Sequence, residues 1–434
     1  MKRILSVIVA FAVIVVIVVA FLNRSDSRPG TAPAIAGAPA GADAVARGEY
    51  LAKAADCIAC HTEPDSGKPF AGGVAFKLPF GTIYSSNITS DPKDGIGAYS
   101  DDEFVRAVRE GVRRDGRHLY PAFPYTSYTL LSRDDVLAIK AYLMTLPAIA
   151  QPNRANDLGF PFNQRWAMAF WNAAFFKSQR FAPDASKPAQ WNSGAYLATA
   201  LGHCGECHTP RNLGYGIDHG KALTGEEFGG WRAYNITPDA KHGIGSWSDA
   251  DIAAYLTTGH APEHASASGP MGEAVAHSLQ FLKPDDASAL VAYLHTVPAR
   301  EGEHPIDVDV RPAPLAASTP VLPGKDELQA ESQGLKLFEG ACSGCHQWNG
   351  QGRQTPYASL EGTRGVNDLS ATNVTQVILQ GSKIRVGDVD VFMPSFGDAY
   401  SDTEVAALAN YVVAHFGGKQ GTVTPDEVAK RRTL

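Results

Sequence analysis

Three copies of one five-residue pattern constrain this chain more than any other feature: Cys57-Ile58-Ala59-Cys60-His61, Cys204-Gly205-Glu206-Cys207-His208 and Cys342-Ser343-Gly344-Cys345-His346. The chain has six cysteines, and all six fall in these copies, so none is left for a structural disulfide. A secreted disulfide framework scatters its cysteines at varied spacings instead. Two thiols about one helical turn apart can add to the two vinyl groups of one haem, and the adjacent His then faces the iron as proximal ligand. C-x-x-C alone also serves zinc and thiol redox chemistry. A His directly after the second Cys, three times over, reads as covalent attachment of three haem c groups, each with its iron.

Each copy ends a related segment. ARGEYLAKAADCIACHT (46–62) is followed by SGAYLATALGHCGECHT (193–209) and, more distantly, by QGLKLFEGACSGCH (333–346). In each, Tyr/Leu or Leu/Phe residues share one face of a short helix that runs into the cysteines. The first two copies then stay in register at an offset of 148 residues: Asn87-Ile88-Thr89 with Asn235-Ile236-Thr237, Gly95-Ile96-Gly97 with Gly243-Ile244-Gly245, Ser100-Asp101 with Ser248-Asp249. Helical patterns over 134–147, 285–298 and 401–416 close the three repeats. A Ser or Asp before each serves as N-cap, and Pro147 and Pro298 stop the first two. Such repetition sets the architecture. The fold class expected is all-α: three consecutive class I cytochrome c domains over 44–150, 187–299 and 327–418, with an N-terminal transmembrane helix. A chain of 434 residues has room for about three such units.

The expected helix is an anchor over 1–22. Met1-Lys2-Arg3 precede nineteen mostly apolar residues, Ile4 to Leu22, which at ~1.5 Å per residue nearly span a ~30 Å hydrocarbon core. A cleaved signal has an apolar run of only ~7–15 residues with a small-residue site close behind, whereas Ala34 and Ala36 lie well downstream. A retained anchor is therefore favoured over a cleaved signal. Lys2 and Arg3 hold the N-terminus in the cytoplasm, which places the body on the periplasmic side of the cytoplasmic membrane; either reading exports it. Residues 23–43, rich in Pro, Ala, Gly and Ser, read as a flexible tether. Residues 151–186 form an aromatic connector (Phe160, Phe162, Trp166, Phe170, Trp171, Phe175, Phe176, Phe181), 300–326 a Pro-rich linker, and 419–434 a tail.

The sixth iron ligand decides what each haem can do, because Met raises the potential and closes the iron to substrates. The chain has five methionines. Met393, in VFMPSFG, follows His346 by 47 residues, and Met271, in SGPMGEA, follows His208 by 63. Both lie in Pro/Gly-flanked loops before a closing helix, which favours ligation over core filling. The first unit breaks the pattern: the 148-residue offset carries Met271 to Phe123, in LYPAFPY. Phe cannot bind iron. Met144 falls on the closing helix. The first haem is therefore five-coordinate, or ligated by His118 or Met168; a surface role for His118 and packing for Met168 are the simpler readings. Arg106, Arg109 and Arg113 share a helical face there, with Arg114 and Arg117 beyond. The matching positions of the second unit are Ala254, Thr257 and Ala261. That basic face is either solvated or neutralises haem propionates or docks an acidic partner. The aromatic connector either packs between domains or touches the membrane interface, where a quinone would arrive.

The formal charge of −7 does not fit a nucleic-acid binder. No GxGxxG in a βαβ setting and no P-loop is present. No residue reads as catalytic, so the leading function is electron transfer. Two competitors are a peroxidase-like enzyme at an open first haem, for which no distal acid–base pair can be placed, and a cytochrome c subunit of a terminal oxidase.

From Gly48 to Gly417 the chain resembles the three-haem cytochrome c subunit of bacterial membrane-bound alcohol, gluconate, fructose and aldehyde dehydrogenases. The resemblance rests on GEYLAKAADCIACHT, AGGVAFKLPFGTIYSSNIT, LYPAFPYTSY, FPFNQRW, LGHCGECHTPRN and the C-terminal CSGCH…MPSFG. It implies an electron-transfer subunit that accepts electrons from a separate catalytic subunit, of pyrroloquinoline quinone, flavin or molybdopterin type. The acceptor it implies is ubiquinone in the cytoplasmic membrane. The family's axial methionines carry over to Met271 and Met393 and fail at Phe123. Together with the anchor, that Phe is similar to the branch paired with molybdenum hydroxylases.

Overall fold

The computed structural model describes residues 26–38, 43–302 and 333–433. The anchor over 1–22 and nearly all of the linker over 300–326 lie outside these residues. Among the described residues no helix is long and apolar enough to cross a membrane. The chain divides into two compact units, Met1–Glu206 with Arg211–Asp218 and Cys207–Pro210 with His219–Leu434. The division passes through the second motif.

In the first unit, Asp43 caps α1 (Ala44–Ala54), its carboxylate accepting from Val45 and Ala46 N–H at 3.0 and 3.1 Å. The helix does not run on into the cysteines as expected. It stops at Ala55, and Asp56 takes a left-handed backbone (φ 52°) before the short helix α2 (Cys57–His61). Strands β1 (Ala75–Leu78) and β2 (Gly81–Tyr84) follow, then α3 (Asp101–Glu110), α4 (Tyr125–Tyr128) and the closing helix α5 (Arg133–Leu143). Ser100 and Glu103 form a capping box on α3, and Ser132 accepts from Asp135 N–H at 3.1 Å to start α5. Helices α1 and α5 cross in close contact at Gly48, where a Cβ would lie 1.8 Å from Ala138 O. Strand β3 (Asp157–Leu158) joins β2, and α6 (Met168–Phe175) and α7 (Ala189–Tyr196) complete the unit's helices.

Residues 26–38 do not behave as a free tether. Asp26 N–H donates to Ser178 Oγ (2.7 Å), Arg133 N–H to Pro29 O (2.8 Å) and Ser193 Oγ to Ala34 O (2.5 Å), and Ile35 and Ala38 are buried. A Pro/Ala/Gly stretch suits an extended strap as well as a flexible one, and composition alone does not distinguish them. The helix before the second motif shows a second local solution. Cys57 follows Gly48 by nine residues, whereas Cys204 follows Gly194 by ten. A π-turn over Leu197–Leu201 lies within that longer stretch. Tyr196, on α7, donates from Oη to Asp135 Oδ2 at 2.6 Å and accepts from Ser132 N–H at 3.0 Å; Arg47 pairs with the same carboxylate. Tyr196→Phe leaves a buried carboxylate oxygen and a buried N–H short of a partner and should cost the first unit ~1–3 kcal/mol. Thermal unfolding of the haem-loaded chain checks this, and an unchanged midpoint would refute it.

The second unit carries α8 (Gly205–His208, which continues from the first), the β4–β5 hairpin (Glu226–Phe228, Trp231–Ala233), α9 (Asp249–Thr258), the β6–β7 pair (His260–Ala261, Ala265–Ser266), α10 (Gly269–His277) and the closing α11 (Pro284–Leu294). Pro284 stands at the first turn of α11, where no side chain caps the helix. A π-turn over Phe338–Cys342 then leads into α12 (Ser343–His346). Next come α13 (Arg364–Asn367), α14 (Thr372–Gln380), the β8–β9 hairpin (Ser382–Val386, Val389–Met393) and the closing α15 (Asp402–Gly417). The expected tail folds as α16 (Pro425–Arg432), started by a Thr424–Glu427 capping box, with Val428 fully buried and Arg432 paired to Asp402 at 2.5 Å.

The fold is therefore largely helical but not all-α. The described residues include four small antiparallel sheets. In the β8–β9 hairpin the loop alternates in polarity, Ile384 facing inward between exposed Lys383 and Arg385, and Gly387 turns the chain. The internal repeat survives in the hydrogen bonding. Asn87 Oδ1 accepts from the N–H and hydroxyl of Thr89 (2.9 and 2.7 Å), and Asn235 does the same for Thr237 (2.8 Å each).

Candidate haem sites

All three motif histidines are held the same way. Nδ1 of His61 contacts Ser86 O, Nδ1 of His208 contacts Tyr234 O and Nδ1 of His346 contacts Ala358 O, each at 2.7 Å. A carbonyl only accepts, so each Nδ1 carries the proton and each Nε2 keeps its lone pair for a metal. Burial holds all three imidazoles below the ordinary histidine range, which favours the neutral, ligating form. The backbone of each His is also pinned: His61 O accepts from Gly72 N–H (2.7 Å), His208 O from Gly225 N–H (2.8 Å) and His346 O from Gly352 N–H (3.1 Å). Those three glycines have φ of 73°, 95° and 78°, a conformation other residues rarely adopt.

None of the six cysteines is in a disulfide. Burial pushes Cys57 up to about 12 and Cys204 and Cys342 up to about 11. Cys60, Cys207 and Cys345 complete the pairs. The residues thus fit haem c: paired thiols, and an oriented neutral imidazole beside each pair.

The remaining expected residues fall as follows. Met393 ends β9, half-buried, opposite Ser382. Met271 sits not in a loop but in the first turn of α10, with Pro270 beside it, packed on the cluster of Ala267, Val275 and Ile384. Phe123 is half-buried against Tyr128 (5.4 Å between rings). Asn172 Oδ1 accepts from Tyr125 Oη (2.6 Å), so its Nδ2 donates to His118 Nδ1 at 3.2 Å. Met168 is buried at the start of α6, and Met144 is exposed at the end of α5. The basic face over Arg106, Arg109 and Arg113 does not form. Gly111 ends α3, Arg113 lies beyond the helix beside Asp115 at 3.7 Å, and Arg109 turns inward to donate to Arg28 O at 2.8 Å. Arg114 and Arg117 pair with Glu103 and Asp115 at 3.4 and 2.6 Å.

A family model described as cytochrome c matches residues 45–147 and 192–298, and one described as cytochrome c oxidase, cbb3-type, subunit III matches 329–412. The fructose dehydrogenase cytochrome subunit of Gluconobacter japonicus is 38% identical over 98% of this chain and 89% of its own length. The gluconate 2-dehydrogenase cytochrome c subunit of Pantoea cypripedii is 35% identical, covering 89% of each chain. This chain belongs to the cytochrome c subunits of dehydrogenases. It is an electron-transfer subunit carrying haem c. One subunit of the nicotinate dehydrogenase of Pseudomonas putida is 41% identical over 91% of this chain, which spans 32% of that protein.

Several residues that matter in this cytochrome subunit carry no sequence signal. Glu206, inside the second motif, accepts from the hydroxyls of Thr126 (2.6 Å) and Ser127 (2.8 Å) and pairs with Arg211 at 2.6 Å. His203 packs edge-on against Tyr128, ring to ring 5.5 Å, and Tyr128 Oη donates to Ala55 O (2.9 Å), two residues from Cys57. These contacts hold His203, the residue before Cys204, beside the segment that leads into Cys57. The aromatic connector divides. Trp171 donates to Gly214 O at 2.7 Å and Phe162 stacks on Phe80 (4.4 Å between rings), while Phe160 (81% exposed), Trp166 (67%) and Phe170 lie on the surface.

Proposed function

We propose that this chain takes electrons from a separate catalytic dehydrogenase subunit and relays them through three haem c groups to ubiquinone, while anchored on the periplasmic side of the cytoplasmic membrane. The observation that carries the reading is the shared geometry of His61, His208 and His346, each with Nδ1 committed to a carbonyl. Haem c supplies one-electron redox chemistry at such sites. Met271 and Met393 are the distal ligands of the second and third. The first has Phe123 where the repeat would place a methionine, so its iron is five-coordinate or takes His118 or Met168. The apolar run from Ile4 to Leu22 supplies the anchor, and the exposed Phe160, Phe162, Trp166 and Phe170 suit a membrane interface near the quinone. The partner is of pyrroloquinoline quinone, flavin or molybdopterin type; the fructose, gluconate and nicotinate dehydrogenase relatives are what point to such a partner.

The test is purification of the full chain with its bound partner. Pyridine haemochrome analysis should give three haems per chain. The partner's substrate should reduce them and a ubiquinone analogue reoxidise them. Fewer than three haems, or reduced haem that the quinone leaves untouched, would overturn the proposal.

A further inference from the structure

Arg364 is 4% exposed, yet among the described residues no carboxylate pairs with it. Two of its guanidinium N–H groups donate to backbone carbonyls, Asn235 O at 2.8 Å and Gly243 O. Its Nε–H finds no acceptor. Its plane lies 5.2 Å from the ring centre of Trp247, which is 6% exposed and whose indole N–H is also without an acceptor. A third buried polar atom without a partner, Tyr234 Oη, belongs to the residue whose carbonyl holds His208. Arg364 reaches the backbone beside Tyr234, since the carbonyl it meets at 2.8 Å is that of Asn235. A buried cation with no anion is costly, and so is each buried donor with nothing to donate to. Three such donors, on Arg364, Trp247 and Tyr234, together ask for an acceptor that carries negative charge.

We propose that Arg364, contributed by the third cytochrome segment, joins Tyr234 and Trp247 in receiving the propionate carboxylates of the haem attached at Cys204-Cys207-His208. The proposal rests on the reading that the second motif carries a haem. It makes the pocket of the second haem incomplete without the third segment. Arg364 follows His264 in the same arrangement: its own N–H donates to His264 O at 2.9 Å, and the His264 ring stacks on Trp247 (4.4 Å, 17°). Arg232 and Asp368 pair nearby at 3.1 Å, so the segment 364–368 is tied to the second haem's surroundings at both ends. The guanidinium therefore acts on the second haem's electrochemistry as a fixed positive charge, which disfavours the oxidised, more positive iron.

The experiment is a redox titration of the full chain in its complex, for wild type, Arg364→Met, Arg364→Lys and Tyr234→Phe, with the haem count taken on each sample. The second haem is recognised as the one whose midpoint also moves in Met271→Leu. Arg364→Met should weaken reduction of that haem about tenfold, ~59 mV for one electron. Arg364→Lys should recover most of the loss because it keeps the charge. Tyr234→Phe, which removes one donor and little volume, should shift the same haem about threefold in the same direction, and it reports even where Arg364→Met fails to fold. Three haems with every midpoint within 1.5-fold of wild type in Tyr234→Phe and Arg364→Lys, and in any folded Arg364→Met, would overturn the assignment. Fewer than three haems in the wild type would instead overturn the reading on which it rests.

Discussion

Gly48→Val destabilises the first unit by about 3 kcal/mol, at the upper end of what overpacking a core position costs. The argument is geometric. At Gly48, α1 and α5 approach so closely that a Cβ would sit 1.8 Å from Ala138 O and 3.0 Å from Tyr142 Cβ. Neither obstacle can swing aside, since one is helix backbone and the other is the root of a side chain. The helices must separate, and the neighbours of Gly48 on α1 (Leu51, Ala52 and Ala54) lose burial with them. Because α1 leads into Cys57 through the corner at Asp56, the displacement reaches the first attachment site. The melting temperature of the haem-loaded chain should fall by roughly 6–12 °C for a unit of this size. The third repeat repeats the contact: a Cβ on Gly334 would lie 2.4 Å from Ala407 O. Gly340→Ala is the control, because nothing lies within 4 Å of a Cβ there. If Gly48→Val melts with wild type, the close crossing does not exist in solution.

On the proposed ligation by Met393, Met393→His lowers the midpoint potential of the haem at Cys342-Cys345-His346 by on the order of 0.1–0.3 V, a fraction of the ~0.8 V range that axial ligands command. A thioether stabilises the reduced iron relative to an imidazole. The segment after β9 is built to hold a ligand still. Phe396 N–H donates to Ile378 O (2.8 Å) and Ser395 Oγ to Leu379 O (2.6 Å), which pin it to the end of α14. Gly381, with φ 76°, leaves room for Met393 O, which a Cβ would meet at 2.6 Å. A side chain on so fixed a backbone presents one ligand position, so His there replaces the sulfur rather than avoiding the iron. Optical redox titration reads the shift. An unmoved midpoint together with an unchanged spectrum would show that Met393 does not ligate.

The attachment motifs were legible because covalent haem chemistry needs its residues adjacent in the chain. So were the repeat and the closing helices: the Asn-Ile-Thr segments make matching hydrogen bonds, and Ser132 and Ser401 cap as expected. The α16 helix is written in Thr424-Pro425-Asp426-Glu427, a capping box with Pro at the first helical position, so 419–434 is more than a tail. The strap over 26–38 was not, since its partners Ser178, Arg133 and Ser193 are remote in sequence. The basic face failed because helical spacing was extended past Gly111, where a left-handed residue ends the helix.

By itself the sequence determined what this protein carries: paired thiols with a following His, three times, impose a c-type haem and an electron-transfer role. Only the tertiary structure decided how each site is held and what surrounds it. The carbonyls of Ser86, Tyr234 and Ala358 that orient the histidines lie 12 to 26 residues away from them. Arg364 reaches Asn235 from 129 residues away. Covalent attachment is local chemistry and is written in adjacent residues. Orientation and electrostatic environment come from groups that folding brings together, and no local pattern records which carbonyl or which arginine that will be.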